Sequence, residues 1–290
     1  MNIKTEQSLN SIRALAKQGA SYYQEKQYEK ALITFSEAIE LKPNYAWAIA
    51  HRGETYTQMK RYYEALADFS RAIELQPDYT WAIAHRGQTY SLMKCYSEAL
   101  ADFNRAIELK PDYAWVYACR CQSYEHIERY EEAVADLDRA VALEENIFRY
   151  WRGDRALLLS MCGRYAEAIE YGERALRENP NDQLIPYSLA VAKACWQGRS
   201  SAQAEIDKAR VALESIVNTD TEGDILCRLG GLEALEGKTN RALHYLQEAI
   251  LVRQSSIETP HHDPAWIDLR THPTFQLLMS ENTEVLSKSS

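Results

Sequence analysis

Over residues 12–147, small and apolar side chains recur at fixed places in a 34-residue period. Each period is counted from 1, with Ala46 and Thr80 at position 1. Positions 4, 8 and 11 then read Leu15/Gly19/Tyr22, Ile49/Gly53/Tyr56, Ile83/Gly87/Tyr90 and Tyr117/Cys121/Tyr124. At helical spacing these three positions fall within about 60° of one another, a single seam along a first helix. Positions 20, 24 and 27 form the seam of a second: Ala31/Phe35/Ala38, Ala65/Phe69/Ala72, Ala99/Phe103/Ala106 and Ala133/Leu137/Ala140. Pro43, Pro77 and Pro111 at position 32 end the second helix, and Asn44, Asp78 or Asp112 follows as a turn or capping residue. The pattern predicts helix–turn–helix pairs in which Gly or Ala faces Tyr or Phe. Enlarging Gly53 or Ala72 overpacks that contact, at about 1–3 kcal/mol.

The usual domain length would divide 290 residues into two domains, but the period divides them differently. Units run at about 12–45, 46–79, 80–113 and 114–147, and the second and third differ at only eight of 34 positions. A fifth, 149–182, keeps Gly163, Tyr165, Ala168, Ala175 and Pro180. The sixth, 183–218, is degenerate, since Pro186 interrupts its start and no Phe sits on its second seam. A seventh, 223–253, returns with Leu229, Gly230, Ala242, Leu246 and Ala249. Residues 1–11 form a lead-in segment. Residues 254–290 read as a loop, short capping helices and a polar tail, with Trp266, Leu269, Phe275 and Leu278 available to cover the last seam. Each unit contacts chiefly its neighbours, so no boundary near the midpoint is expected.

The unit W/L/I–x–x–x–G–x–x–Y, then A–x–x–x–F–x–x–A and P, resembles the tetratricopeptide repeat over roughly residues 12–253. The resemblance implies an all-α, right-handed α-solenoid of about seven repeats plus a C-terminal capping segment. It also implies a non-catalytic scaffold or adaptor that binds a peptide or protein segment in a concave groove lined by first helices. Position 2 of that groove is Trp47, Trp81, Trp115 and Tyr150, and position 6 is His51, His85, Cys119 and Asp154. Position 9 supplies Glu54, Gln88 and Gln122, and position 13 supplies Gln58, Leu92 and His126. This is an aromatic ladder flanked by hydrogen-bonding side chains. The same tryptophans also read as inter-repeat packing copied by duplication. Three of the eight differences between units two and three fall at positions 9, 12 and 13, while both seams are untouched. Relatives that clamp acidic chaperone tails carry Lys, Asn and Arg where this chain has Ala16, Ala20, His51, Trp81 and His85, so that clamp is not expected. The array and its terminal LR–x–x–P–x–F segment also resemble bacterial regulatory proteins.

Position 7 carries a second ladder, Arg52, Arg86, Arg120 and Arg155, among small and apolar neighbours. A partly buried guanidinium needs a partner. Position 23 supplies Asp68, Asp102 and Asp136 at the same period, so Arg–Asp pairs within or between units are expected. A site for anions among converging arginines is the alternative.

Composition narrows the function further. Hydrophobic residues are 46% and charged residues 26%, with Gly 11 and Pro 8, which fits neither a turn-rich β chain nor a disordered one. A net charge of −9 and no basic stripe argue against nucleic acid. No apolar run suits a membrane span, and MNIKTEQSLN lacks an apolar signal core. Six scattered cysteines without a CxxC pair suggest reduced thiols, hence a cytoplasmic protein. No cofactor is expected, because no glycine-rich phosphate loop or nucleophile elbow occurs. His51, His85 and Cys119 could be drawn as a metal or ligand site, but repetition explains them better. His261, His262 and Asp263 read as a solvated loop without zinc spacing. The remaining alternative is self-assembly into a homo-oligomer through the array ends or the convex face.

Overall fold

The computed structural model describes residues 3–144, 152–217, 222–252 and 259–287. Among them are sixteen α-helices and no strand. The first units are α1 (Ile3–Gln24) with α2 (Tyr28–Leu41), α3 (Ala46–Gln58) with α4 (Tyr62–Leu75), and α5 (Thr80–Leu92) with α6 (Tyr96–Leu109). Next come α7 (Ala114–His126), α8 (Tyr130–Leu143), α9 (Arg152–Met161) and α10 (Tyr165–Glu178). The degenerate unit is α11 (Ile185–Gln197) and α12 (Gln203–Glu214), joined through a 3-10 turn at Arg199–Ala202. Then follow α13 (Glu222–Leu235), α14 (Thr239–Val252), α15 (Thr259–His262), a 3-10 turn at Pro264–Leu269 and α16 (Pro273–Ser287). The repeat arithmetic places no boundary near the midpoint, yet contacts divide the chain into two compact units, Met1–Ile127 and Glu128–Ser290.

In the first unit the core is the pair of seams. Phe35, Phe69 and Phe103 are buried with the alanines of both helices, and Ile49 and Ile83 face them. The glycines are required by closeness: a Cβ on Gly19 would lie 2.7 Å from the Phe35 ring, and one on Gly87 2.9 Å from Phe103. At Gly53 the nearest obstacle is the Ala65 carbonyl, at 3.2 Å.

The turn between paired helices is left-handed at one residue, with φ of 58° at Lys26, 59° at Lys60 and 60° at Lys94. Two main-chain bonds close it, Arg61 N to Tyr56 O at 2.9 Å and Lys60 N to Thr57 O at 3.0 Å, the pairing that satisfies orphan carbonyls at a helix end. Between units, Asn44 and Asp78 serve the turn and not the cap. Their carbonyls accept from Ala46 N and Thr80 N, and the N-cap residues Tyr45 and Tyr79 have no side-chain cap bond. Arg71 and Arg105 brace the same turns by donating to the Pro43 and Pro77 carbonyls, at 2.6 and 2.5 Å.

In the second unit, Trp266 and Phe275 are buried, and the Trp266 ring occupies the space over Gly230. Leu269 is buried too, and Leu278 partly. The His261–Asp263 segment is not a solvated loop. The Tyr187 hydroxyl donates to Asp263 Oδ2 at 2.5 Å, Ala265 N donates to Oδ1 at 2.9 Å, and His262 Nδ1 lies 2.9 Å from the Tyr130 hydroxyl. Asp263 is 1% exposed because it ties the cap to α11.

Candidate functional site

The groove positions of the first unit form one strip of rings. Positions 2 and 6 are one helical turn apart, so their side chains meet on one face. The His51 ring lies 3.9 Å from Trp47 on its own helix and 4.4 Å from Trp81 on the next. His85 repeats this, 4.0 Å from Trp81 and 4.6 Å from Trp115. The result is an unbroken order Trp47, His51, Trp81, His85, Trp115 across α3, α5 and α7. Tyr45, Tyr79 and Tyr113 flank the tryptophans at 6.0, 6.1 and 5.8 Å, and Phe35 reaches Trp47 from below at 6.0 Å. All five rings of the strip remain half-buried.

Glu54 is the node beneath. Its Oε1 accepts from the Tyr23 hydroxyl at 2.7 Å and from Gln58 Nε2 at 3.2 Å. Its Oε2 lies 2.8 Å from His85 Nδ1. Neither atom of that last contact meets hydrogen-bond geometry. Burial would raise the Glu54 carboxyl, but His85, Tyr23 and Gln58 outweigh it and hold the group below its usual range. Burial, with His85 adding to it against the pull of Glu54, lowers His51 to about 4. Burial also pushes the Cys119 thiol up to about 12. His51 is therefore neutral at pH 7 and Cys119 a protonated thiol.

The other groove residues are peripheral to the stack. Gln88 is half-buried, Leu92, Gln122 and His126 are exposed, and His126 stacks on Tyr96 at 5.3 Å. Tyr150 lies outside the described residues, as does the Asp154 side chain. Tyr23 falls at position 12, beside the stripe of positions 2, 6, 9 and 13, so its link to Glu54 is not legible in the spacing of that stripe.

The arginines are bidentate. Arg52 donates from Nε and Nη2 to Asp68 at 2.7 and 2.8 Å, and Arg86 to Asp102 at 2.8 and 2.8 Å. Each also reaches back one repeat to position 25: Arg52 to Ser36 at 3.1 Å, Arg86 to Ser70 at 3.2 Å and Arg120 to Asn104 at 2.6 Å. In the second unit Arg155 has Tyr171 at position 23, and its guanidinium lies 4.6 Å from that ring. Its carboxylate comes from position 25, where Asp138 accepts at 2.5 and 3.0 Å. Asp136 is buried. The position-25 acceptor was legible only as one of the eight differences, Ser70 against Asn104, both able to accept.

Among the described residues no group of three or more His, Cys, Asp or Glu could hold a metal, and no helix is long and apolar enough to cross a membrane. Tetratricopeptide repeat models match residues 46–79, 81–113 and 122–183, and a TPR repeat model matches residues 19–60. No curated protein matches the chain significantly. A tetratricopeptide repeat protein from Parabacteroides merdae ATCC 43184 is similar in structure, with a TM-score of 0.68 and 17% identity over 94% of this chain and 99% of that one. YrrB, a TPR protein with an unusual peptide-binding site, gives a TM-score of 0.54 and 23% identity over 62% of this chain and 96% of its own. Helix pairs on a 34-residue period, small-on-large seams and three matching repeat models agree: the chain belongs to the tetratricopeptide repeat family.

Proposed function

We propose that this protein is a non-catalytic interaction scaffold that holds a peptide or protein segment on the first-helix face of α3, α5 and α7. The observation that carries the reading is the unbroken, partly exposed strip from Trp47 to Trp115. An aromatic strip that is not fully covered leaves some apolar ring area facing water, with Gln58, Leu92 and Gln122 exposed on the same helices. The inter-repeat role of the rings is compatible with this, because their mutual contacts leave each of them partly exposed. A His51 lowered to about 4 and a Cys119 raised to about 12 are poorly suited to act as base and nucleophile, which favours binding over catalysis. YrrB, similar in fold, supports the reading by analogy only. Six free cysteines suit a reducing, cytoplasmic setting.

Affinity capture tests the proposal. A Leu92→Glu/Gln122→Glu variant changes only exposed positions on this face and leaves the ring stack intact. It is expected to melt as the wild type does and to lose partners that the wild type retains. Equal capture by both sinks the reading.

A further inference from the structure

Charge is unevenly shared along the chain. Residues 1–127 hold 15 Lys and Arg against 15 Asp and Glu, and residues 128–290 hold 18 against 27. The whole net charge of −9 therefore falls on the second unit, which lacks the aromatic strip. That unit also has a groove of about 780 Å³ between α10 and α12, over the first turns of α11. Where the first three repeats carry a seam Phe, α10 has the buried Gly172. Leu189 of α11 covers it, with Cδ1 3.4 Å from where a Cβ would stand. Leu189 also floors the groove with Leu176 and Pro186, and Val211 on the α12 wall is 69% exposed. This is apolar surface in contact with water, which an apolar side chain of a partner would dry.

The charged lining is acidic, with Asp182, Glu205 and Asp207 against Lys208. Lys193 holds Glu205 at 3.0 Å. Asp182 Oδ1 accepts from the main-chain nitrogens of Leu184 and Ile185, and Asp207 accepts from Gln203. Among the described residues neither of these two carboxylates has a cation against it. Hydrogen bonds from neutral donors leave the charge in place, so this rim attracts cations and repels an anionic segment. We propose that the groove is a second docking site, for a protein segment in which large apolar side chains are flanked by Lys or Arg. The apolar side chains cover Leu176, Leu189 and Val211, and the cations meet Asp182 and Asp207. The site is additional to the α3, α5 and α7 face and does not rest on that reading.

The test uses the full chain and a blocked peptide, KKLLKK, titrated calorimetrically. It is expected to bind about tenfold more tightly than KKSSKK, which lacks the apolar pair, and than EELLEE, which reverses the charge. Asp207 and Val211 are exposed, so variants there are expected to melt as the wild type does. Asp207→Lys is expected to weaken KKLLKK by about fivefold and Val211→Ser by about threefold. Glu170→Lys makes the same charge change at an exposed α10 position outside the groove, and is expected to weaken it by less than about twofold. Equal affinity for KKLLKK and either control peptide overturns the inference. So does an equal effect of Glu170→Lys and Asp207→Lys, which would mean attraction to the unit's charge at large. If Leu92→Glu/Gln122→Glu loses the peptide and Asp207→Lys keeps it, the peptide sits on the aromatic strip; this inference then falls while the scaffold reading stands.

Discussion

At the scale of single residues, two buried polar nodes decide most of what a substitution does. Asp102 holds Arg86 through two bonds of 2.8 Å, and removing it leaves a largely buried guanidinium with only Ser70. Asp102→Ala is expected to cost about 2–3 kcal/mol in a urea melt. A loss under about 0.5 kcal/mol, typical of a surface change, would show that solvent compensates. The second node titrates. His51 is lowered from 6.5 to about 4 in the folded chain, so between those values the unfolded state binds the extra proton. Stability therefore falls as pH drops from 6.5 toward 4, by about 3 kcal/mol in full. Glu54, held below its usual range, adds a further loss at lower pH as it protonates. His51→Phe keeps a ring between Trp47 and Trp81 and removes the titration. Urea midpoints at pH 7.5 and 5 should converge in that variant, and a wild-type midpoint independent of pH would refute the assignment. The Arg–Asp spacing was visible in the chain. The Glu54 node was not, since Tyr23, Glu54 and His85 come from three repeats and meet only through packing.

At the scale of elements, both helices of each repeat were readable because Gly53 against Phe69 and Gly87 against Phe103 are local facts of size and period. The turn chemistry was less so. The left-handed residue after each first helix is usually glycine, as at Gly163, but Lys60 holds φ at 59° and Lys26 and Lys94 do the same. A non-glycine there costs roughly 1–2 kcal/mol. Lys60→Gly should thus stabilise the chain by about 1 kcal/mol after its greater freedom when unfolded is counted. Thermal unfolding checks this, and a lower melting temperature would mean that the lysine makes a contact worth more than its strain. The inter-repeat turn misleads in the same way. Asn44 and Asp78 look like caps, but main-chain bonds and the Arg71 and Arg105 braces do that work.

At the scale of the whole molecule, the end of the array is the sensitive place. Trp266 fills the volume over Gly230, and Asp263 ties the cap to Tyr187. Trp266→Ala is expected to cost about 3–5 kcal/mol and to speed hydrogen exchange in α13 and α14. Protection left unchanged in those helices would show that the cap is dispensable. The sequence alone determined the helix pairs, their seams and the need for a cap, because size, spacing and period act between residues close in the chain or one repeat away. That Trp and His alternate in one strip, that Arg155 finds its carboxylate at Asp138, and that Asp263 is buried all follow from packing between helices. Those outcomes depend on which side chains from separate helices arrive at the same point, and periodicity fixes faces without fixing that meeting.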